Sequence, residues 1–130
     1  MFLCDTNVVS EFVRPRPSPA LLEWAEEVPS ILVSSVTVEE IFHGLGWKPN
    51  PRILTAVEAF LAERCELVPV SPEIARRSGG MRGAFQARGK TRSLPDMLIA
   101  ATAQVHQLTL VTRNVRDFED CAISLFNPLD

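Results

Sequence analysis

Hydrophobic positions along the chain switch between short apolar runs and helical stripes. Phe2 to Cys4 is an apolar run that ends at Asp5 and reads as a buried strand. Asp5 or Thr6 can cap a helix from Asn7 to about Val13. The proline-rich stretch 14–19 cannot continue that helix and predicts a loop. Residues 19–28 read as a second helix, with Leu21, Leu22 and Trp24 or Ala25 on its apolar side. Ile31 to Val33 predicts a second strand. Val38, Ile41, Phe42 and Leu45 then recur at i, i+3, i+4 and i+7, an amphipathic helix ending near Gly44 or Gly46. Pro49 and Pro51 mark a turn, and 52–64 another helix. Leu67 to Val70 predicts a third strand. Ser71-Pro72-Glu73 starts a helix that the pair Gly79-Gly80 should weaken. After a polar loop at 89–93, Pro95 to Gln107 has few polar positions and predicts a buried helix. Leu108 to Thr112 and Ile123 to Leu125 complete five strands.

Strands that alternate with helices across short links predict an α/β fold, an α/β/α sandwich around a central, mostly parallel sheet of about five strands. The 130 residues suit one domain, 1–130, with no repeat, linker or low-complexity tract. In such a sheet, ligands gather at the carboxyl ends of the strands. Asp5 ends the first strand there, and Asn114 and Asp117 follow the fourth. Glu39 and Glu40 lie early in the helix after the second strand. Asp96 lies in the first turn of the buried helix, where the helix dipole favours its ionised form.

Composition narrows the class. Hydrophobic residues make up 46% and charged residues 22%, which is globular and argues against disorder. The longest apolar run, Met97 to Ala101, is far too short to span a membrane as a helix. The opening MFLCDTN lacks the basic stretch of a secretory signal. Cys4, Cys65 and Cys121 are scattered and odd in number, neither a disulfide framework nor a zinc array. These features predict a reduced, cytoplasmic protein. The net charge is −3, but Arg76, Arg77, Arg82, Arg88, Lys90 and Arg92 form a stretch with no acid. That stretch carries +6, which suits a polyanion even though the rest of the chain is negative. A solvated helix face rich in arginine would look the same.

Several carboxylates at neighbouring strand ends would repel one another unless a cation held them together. Carboxylate oxygens and water are ligands for Mg²⁺ or Mn²⁺ rather than zinc, and no His/Cys array competes. Any single one of these acids could instead be an ordinary helix cap. His43, three residues after Glu40, could act as a base, although a lone helix histidine more often packs or faces solvent. His106 closes the buried helix, where it suits the C-terminal dipole. Phe12, Trp24, Phe42 and Trp47 suit either the core or a partner groove, with Trp47 expected to be partly exposed.

The segments MFLCDTNVVSE, SSVTVEEIFHGL, SLPDMLIAATA, LTLVTRNVRDFE and FNPLD together resemble the PIN-domain proteins, above all the VapC/FitB-type toxins of toxin–antitoxin pairs. The resemblance runs in order over nearly the whole chain. It implies a Mg²⁺-dependent ribonuclease, with Mn²⁺ as a substitute, in which Asp5, Glu40 and Asp96 are acids of the site. Periodicity does not separate Glu39 from Glu40; the resemblance selects Glu40. In the fourth motif, Thr112-Arg113-Asn114 with Asp117, asparagine stands where many members carry aspartate. Either Asn114 or Asp117 could therefore complete the site, directly or through water. The resemblance further implies that Thr6, Asn7 and Thr112 fix carboxylate rotamers. It makes Arg113, Arg82, Arg88, Lys90 and Arg92 contacts for RNA. It implies a cognate antitoxin that reaches DNA on the toxin's behalf, and a homodimer.

Two other readings stay open. One is a catalytically silent PIN-fold module that acts only with an antitoxin on DNA. The other is an aspartyl-phosphate phosphotransferase using Asp5. Its D-x-D signature is missing, because position 7 is asparagine. No G-x-G-x-x-G occurs to support a dinucleotide site.

Overall fold

Leu3 and Cys4 are fully buried and form the centre of the first strand, β1 (Phe2–Cys4). Asp5 ends it and caps α1 (Thr6–Phe12), accepting the Val8 N–H at 3.0 Å. The same sequence device opens the later helices of the computed structural model, which describes residues 1–129. Ser18 caps α2 (Pro19–Glu26), Ser34 caps α3 (Ser35–Trp47), and Asn50 caps α4 (Pro51–Arg64). Ser71 and Ser93 cap α5 (Pro72–Ala87) and α6 (Leu94–His106). Four of these helices carry proline in their first two positions, where a missing N–H costs nothing.

Between the helices run β2 (Ile31–Ser34), β3 (Cys65–Val68), β4 (Thr109–Val111) and β5 (Leu125–Phe126), with a 3₁₀ segment at Val115–Cys121 before the last strand. The strands are all parallel, in the order β3-β2-β1-β4-β5. Side chains alternate between the sheet's two faces. Leu3, Leu32 and Leu110 join one apolar cluster with Phe85, Met97, Ile99 and Phe118. Cys4, Ile31, Val33 and Val111 join the other with Val8, Val9 and Leu21. Helices thus cover both faces, the α/β/α arrangement that the alternation predicts.

Three local expectations change. The third strand is Cys65–Val68 rather than Leu67–Val70, because its register is set by β2, from Ile31 opposite Cys65 to Ser34 opposite Val68. Pro69 cannot donate to the ladder and closes it. The fifth strand lies slightly later than expected, where Leu125 and Phe126 pair with Leu110 and Val111. The pair Gly79-Gly80 does not weaken α5, which runs unbroken to Ala87. Each helical glycine costs about 1 kcal/mol relative to alanine. Burial of Ile74 and Phe85 and the packing of α5 on α6 outweigh it.

The order of strands positions the site. From β1 the chain moves outward to β2 and β3, then returns across the sheet to add β4 and β5 on the opposite side. β1 is therefore the switch point, where the loops leaving β1 and β4 diverge and open a crevice. Phe118, 2% exposed, pins the 3₁₀ segment to the sheet beneath that crevice. Phe118→Ala should cost about 3–5 kcal/mol, the usual range for emptying such a site. A drop in the urea midpoint at constant m would report it. A loss under about 1 kcal/mol would mean the segment is anchored elsewhere.

Candidate active site

A cleft of about 190 Å³ opens at the carboxyl end of β1. It is lined by Asp5, Glu40, Asp96 and Asp117, together with Thr6, Asn7, Asn114, Ile99 and Phe118. The acids come from four different elements, and each is held by its own local structure. Asp5, 5% exposed, receives the Val8 N–H on Oδ1 and the Thr112 hydroxyl on Oδ2 at 2.6 Å. Its N–H bonds to the Val111 carbonyl, tying it to β4 as well. Thr112 is itself fixed, since the Asn114 N–H donates to its Oγ1 at 3.0 Å.

Glu40 projects from α3 and accepts the Thr6 hydroxyl at 2.6 Å. Thr6 and Thr37 hydroxyls lie 3.1 Å apart. A hydroxyl has one proton, and Thr6 gives it to the carboxylate, so Thr37 donates to Thr6. Glu39 is exposed on the helix and does not line the cleft. Asp96 stands in the first turn of α6, its N–H received by the Ser93 hydroxyl. Asn114 and Asp117 are exposed at the cleft's rim, joined by the Asp117 N–H to the Asn114 carbonyl.

Burial raises the pKa of Asp5 above its ordinary value, and the neighbouring Asp96 and Glu40 carboxylates push the same way. The hydrogen bonds from Thr112 and Val8 oppose that rise. Burial likewise raises Asp96, helped by Asp117 and opposed by Ser93 and Arg92. Burial is the leading cause of both shifts and the neighbouring carboxylates add to it, so a cation in the crevice would offset both.

The donor set is all oxygen, with no histidine or cysteine lining the cleft. Among the described residues, no three Asp, Glu, His or Cys side chains already close around one point. Such an open array fits a hard divalent cation that keeps several waters, and does not fit zinc.

The family model described as the PIN domain matches residues 2–123. The chain belongs to the PIN-domain family. This PIN domain is 31% identical to the toxin FitB of Neisseria gonorrhoeae, an alignment covering 98% of each chain. It is also 31% identical to the ribonuclease VapC2 of Haemophilus influenzae, over 91% of this chain and 89% of that one. Among solved structures it superposes on the DNA-bound VapBC of Salmonella typhimurium with a TM-score of 0.88 at 27% identity, covering 98% and 97% of the two chains.

The other sequence candidates scatter. His43 is exposed and does not line the PIN-domain cleft, and His106 is exposed at the end of α6. Trp47 is 74% exposed, as expected from its turn. Phe12 stacks on Phe60 and Trp24 meets Phe2 edge-on, so both belong to the second cluster. Phe42 is exposed. The basic stretch is less open than its sequence suggests. Lys90 and Arg92 both reach Asp120, at 3.1 and 3.7 Å, and Arg77 reaches Glu73. Arg88 and Arg92 lie over the Phe85 ring, while Arg82 stays exposed.

Two residues that the sequence pattern does not single out prove to be wired to the site. Thr37 supports Thr6 from within α3. Glu11, 7% exposed, anchors arginines from two chain segments. The Glu11–Arg14 spacing of three at a helix end was the one available signal for the latter.

Proposed function

We propose that this chain is a Mg²⁺-dependent endoribonuclease, with Mn²⁺ as a substitute, and the toxin of a toxin–antitoxin pair. The observation that carries the reading is the convergence of Asp5, Glu40, Asp96 and Asp117 on one oxygen-only cleft at the sheet's switch point. Asp5 and Asp96 would hold the cation, with Glu40, Asn114 and Asp117 completing the site directly or through water. When bound, the cation would offset the charge of the cleft and of the phosphodiester and lower the pKa of water, so that hydroxide is available as the nucleophile near neutral pH. Carboxylates not engaged by the cation would accept hydrogen bonds from an attacking water and orient it toward the phosphorus. Thr112 and Thr6 keep Asp5 and Glu40 in the rotamers this requires. Arg113, with Arg82, Arg88, Lys90 and Arg92, draws RNA toward the crevice.

The likeness to FitB, VapC2 and VapBC supports an antitoxin as partner, with DNA reached only through it. An apolar hollow between Phe12, Leu22, Ala25 and Phe60 offers a seat for an apolar segment of such a partner. The assembly proposed is a homodimer in the cytoplasm. No helix among the described residues is long and apolar enough to cross a membrane.

Thr112→Val tests the support of the site. It removes the donor to Asp5 Oδ2 and leaves the Asn114 N–H without its acceptor. Cleavage should fall about 10–100-fold, the usual cost of losing a group that orients a metal ligand. The fall should be partly recovered at higher Mg²⁺. A rate within twofold of wild type would sink the positioning role.

The nuclease reading itself is tested by RNA cleavage with purified chain freed of any partner, in Mg²⁺, Mn²⁺ or EDTA. Cleavage that requires the metal and both Asp5 and Asp96 supports it. RNA left intact with metal demonstrably bound favours the silent module, and an acyl-phosphate on Asp5 favours the phosphotransferase.

A further inference from the structure

Beside the acid cleft lies a second hollow of about 360 Å³, walled by Asn7, Ser10, Glu11, Arg14, Arg113 and Asn114. It shares Asn7 and Asn114 with the cleft, so the two adjoin. Their electrostatic characters are opposite. Glu11 is buried in the second hollow, and its charge is consumed by three donors. Its Oε2 accepts the Ser18 N–H at 3.0 Å, while its Oε1 accepts Arg14 Nη1 at 3.0 Å and faces Arg113 Nη2 at 3.5 Å. The Arg14 and Arg113 side chains remain 64% and 53% exposed. Each spends one nitrogen on Glu11 and keeps the rest of its planar fork free. Two cations around one buried carboxylate leave the shelf at +1, next to a cleft of four acids.

Arg113 is also fixed from behind. Its neighbours Thr112 and Asn114 are bonded to each other, and Thr112 to Asp5. The backbone that carries Arg113 is thereby tied to Asp5 of the acid cleft.

We propose that Arg14 and Arg113, positioned by Glu11, form a subsite for the phosphodiester adjacent to the one held in the acid cleft. This rests on the nuclease reading above and names how that site takes hold of its strand. An RNA strand with one phosphate in the cleft carries its next negative charge within reach of an adjoining hollow. The shelf's net +1 matches that single charge. The Asn7 amide and the Ser10 hydroxyl add neutral donors for its remaining oxygens.

The test has two arms. In EDTA, binding of a short single-stranded RNA is measured against salt for wild type and for Arg14→Ala/Arg113→Ala. The slope of log K on log salt should fall by about 0.7, the share of one phosphate. In Mg²⁺, one linkage beside the cleaved bond is replaced by a neutral methylphosphonate. That change should raise KM several-fold in wild type, and much less in the double variant. Glu11→Gln takes the shelf from +1 to +2. It should keep or tighten binding at low salt while shrinking the methylphosphonate effect, whereas simple loss of structure would weaken both.

An unchanged salt slope overturns the proposal. So does a double variant that keeps the wild-type slope on RNA but loses binding to a poly-glutamate peptide, which would assign the arginines to a protein carboxylate. A wild type that shows the slope difference but never cleaves RNA leaves the phosphate contact supported and removes only the nuclease reading.

Discussion

Asp5→Asn is expected to lower metal-dependent RNA cleavage by more than about a hundredfold and, in the same protein, to raise the melting temperature measured in EDTA. The rate loss should exceed the 10–100-fold typical of groups that merely orient a ligand, because Asp5 would hold the cation itself. The gain in stability follows from its environment. Asp5 is buried beside Asp96 and Glu40, and its pKa rises above the ordinary 3.8 on folding. The folded state then binds the proton more tightly than the unfolded one. Stability therefore falls as pH climbs from about 3.8 to the folded value, and above that window the loss is complete.

Asparagine carries no charge to lose. It is as good a helix cap as aspartate, and its Oδ1 can keep the Val8 N–H. Its amide can donate to Thr112 in place of the bond it receives. Thermal melts at pH 7 in EDTA should show the variant above wild type by a few degrees. At pH 3 the two should converge. A variant that melts below wild type at pH 7 would mean that the ionised carboxylate is structurally favoured, and that burial beside other acids does not raise its pKa.

The second large effect is the complement of the first. Mg²⁺ or Mn²⁺ should stabilise the wild type and not the Asp5→Asn/Asp96→Asn double variant. A cation that binds only the folded chain adds about 2.7 kcal/mol at a hundred times its Kd. For a chain of this size that is a rise in Tm on the order of 10 °C. The rise should be larger at pH 7 than at pH 4, because protons compete for Asp5 and Asp96. Calorimetry across a metal titration measures it directly. An equal rise in both proteins would place the bound ion outside this cleft. No rise at millimolar metal would leave four carboxylates without the counter-charge that their convergence calls for.

Much of this was legible in the sequence because it is local. Caps such as Ser71-Pro72 and the run at Phe2–Cys4 announce themselves within a few residues, and the elements they announce form there. Asp5 could be placed at a strand's carboxyl end from that alone. What was hidden depends on contacts between distant residues. The start of β3 is decided by register against β2, and no local feature of Cys65 shows it. Helix α5 survives Gly79-Gly80 because of what it packs on. Glu39 and Glu40 differ only in which way the helix faces once α1 lies against it, with Thr6 reaching across 34 positions to one of them. The basic stretch looked fully open because Asp120, which ties two of its members, is 30 residues away from Lys90.

The lateral order of the strands also bears on how the chain is made. Asp5 is synthesised 107 residues before Thr112, which aims it, and earlier still than Asp117, which shares its cleft. The central strand keeps one flank vacant until residues 109–111 arrive to fill it. A chain that stops short of residue 109 therefore lacks Asn114, Asp117 and Phe118, and with them one wall of the cleft. If the chain is the toxin proposed above, no cleavage can arise until residues 109–118 have been made.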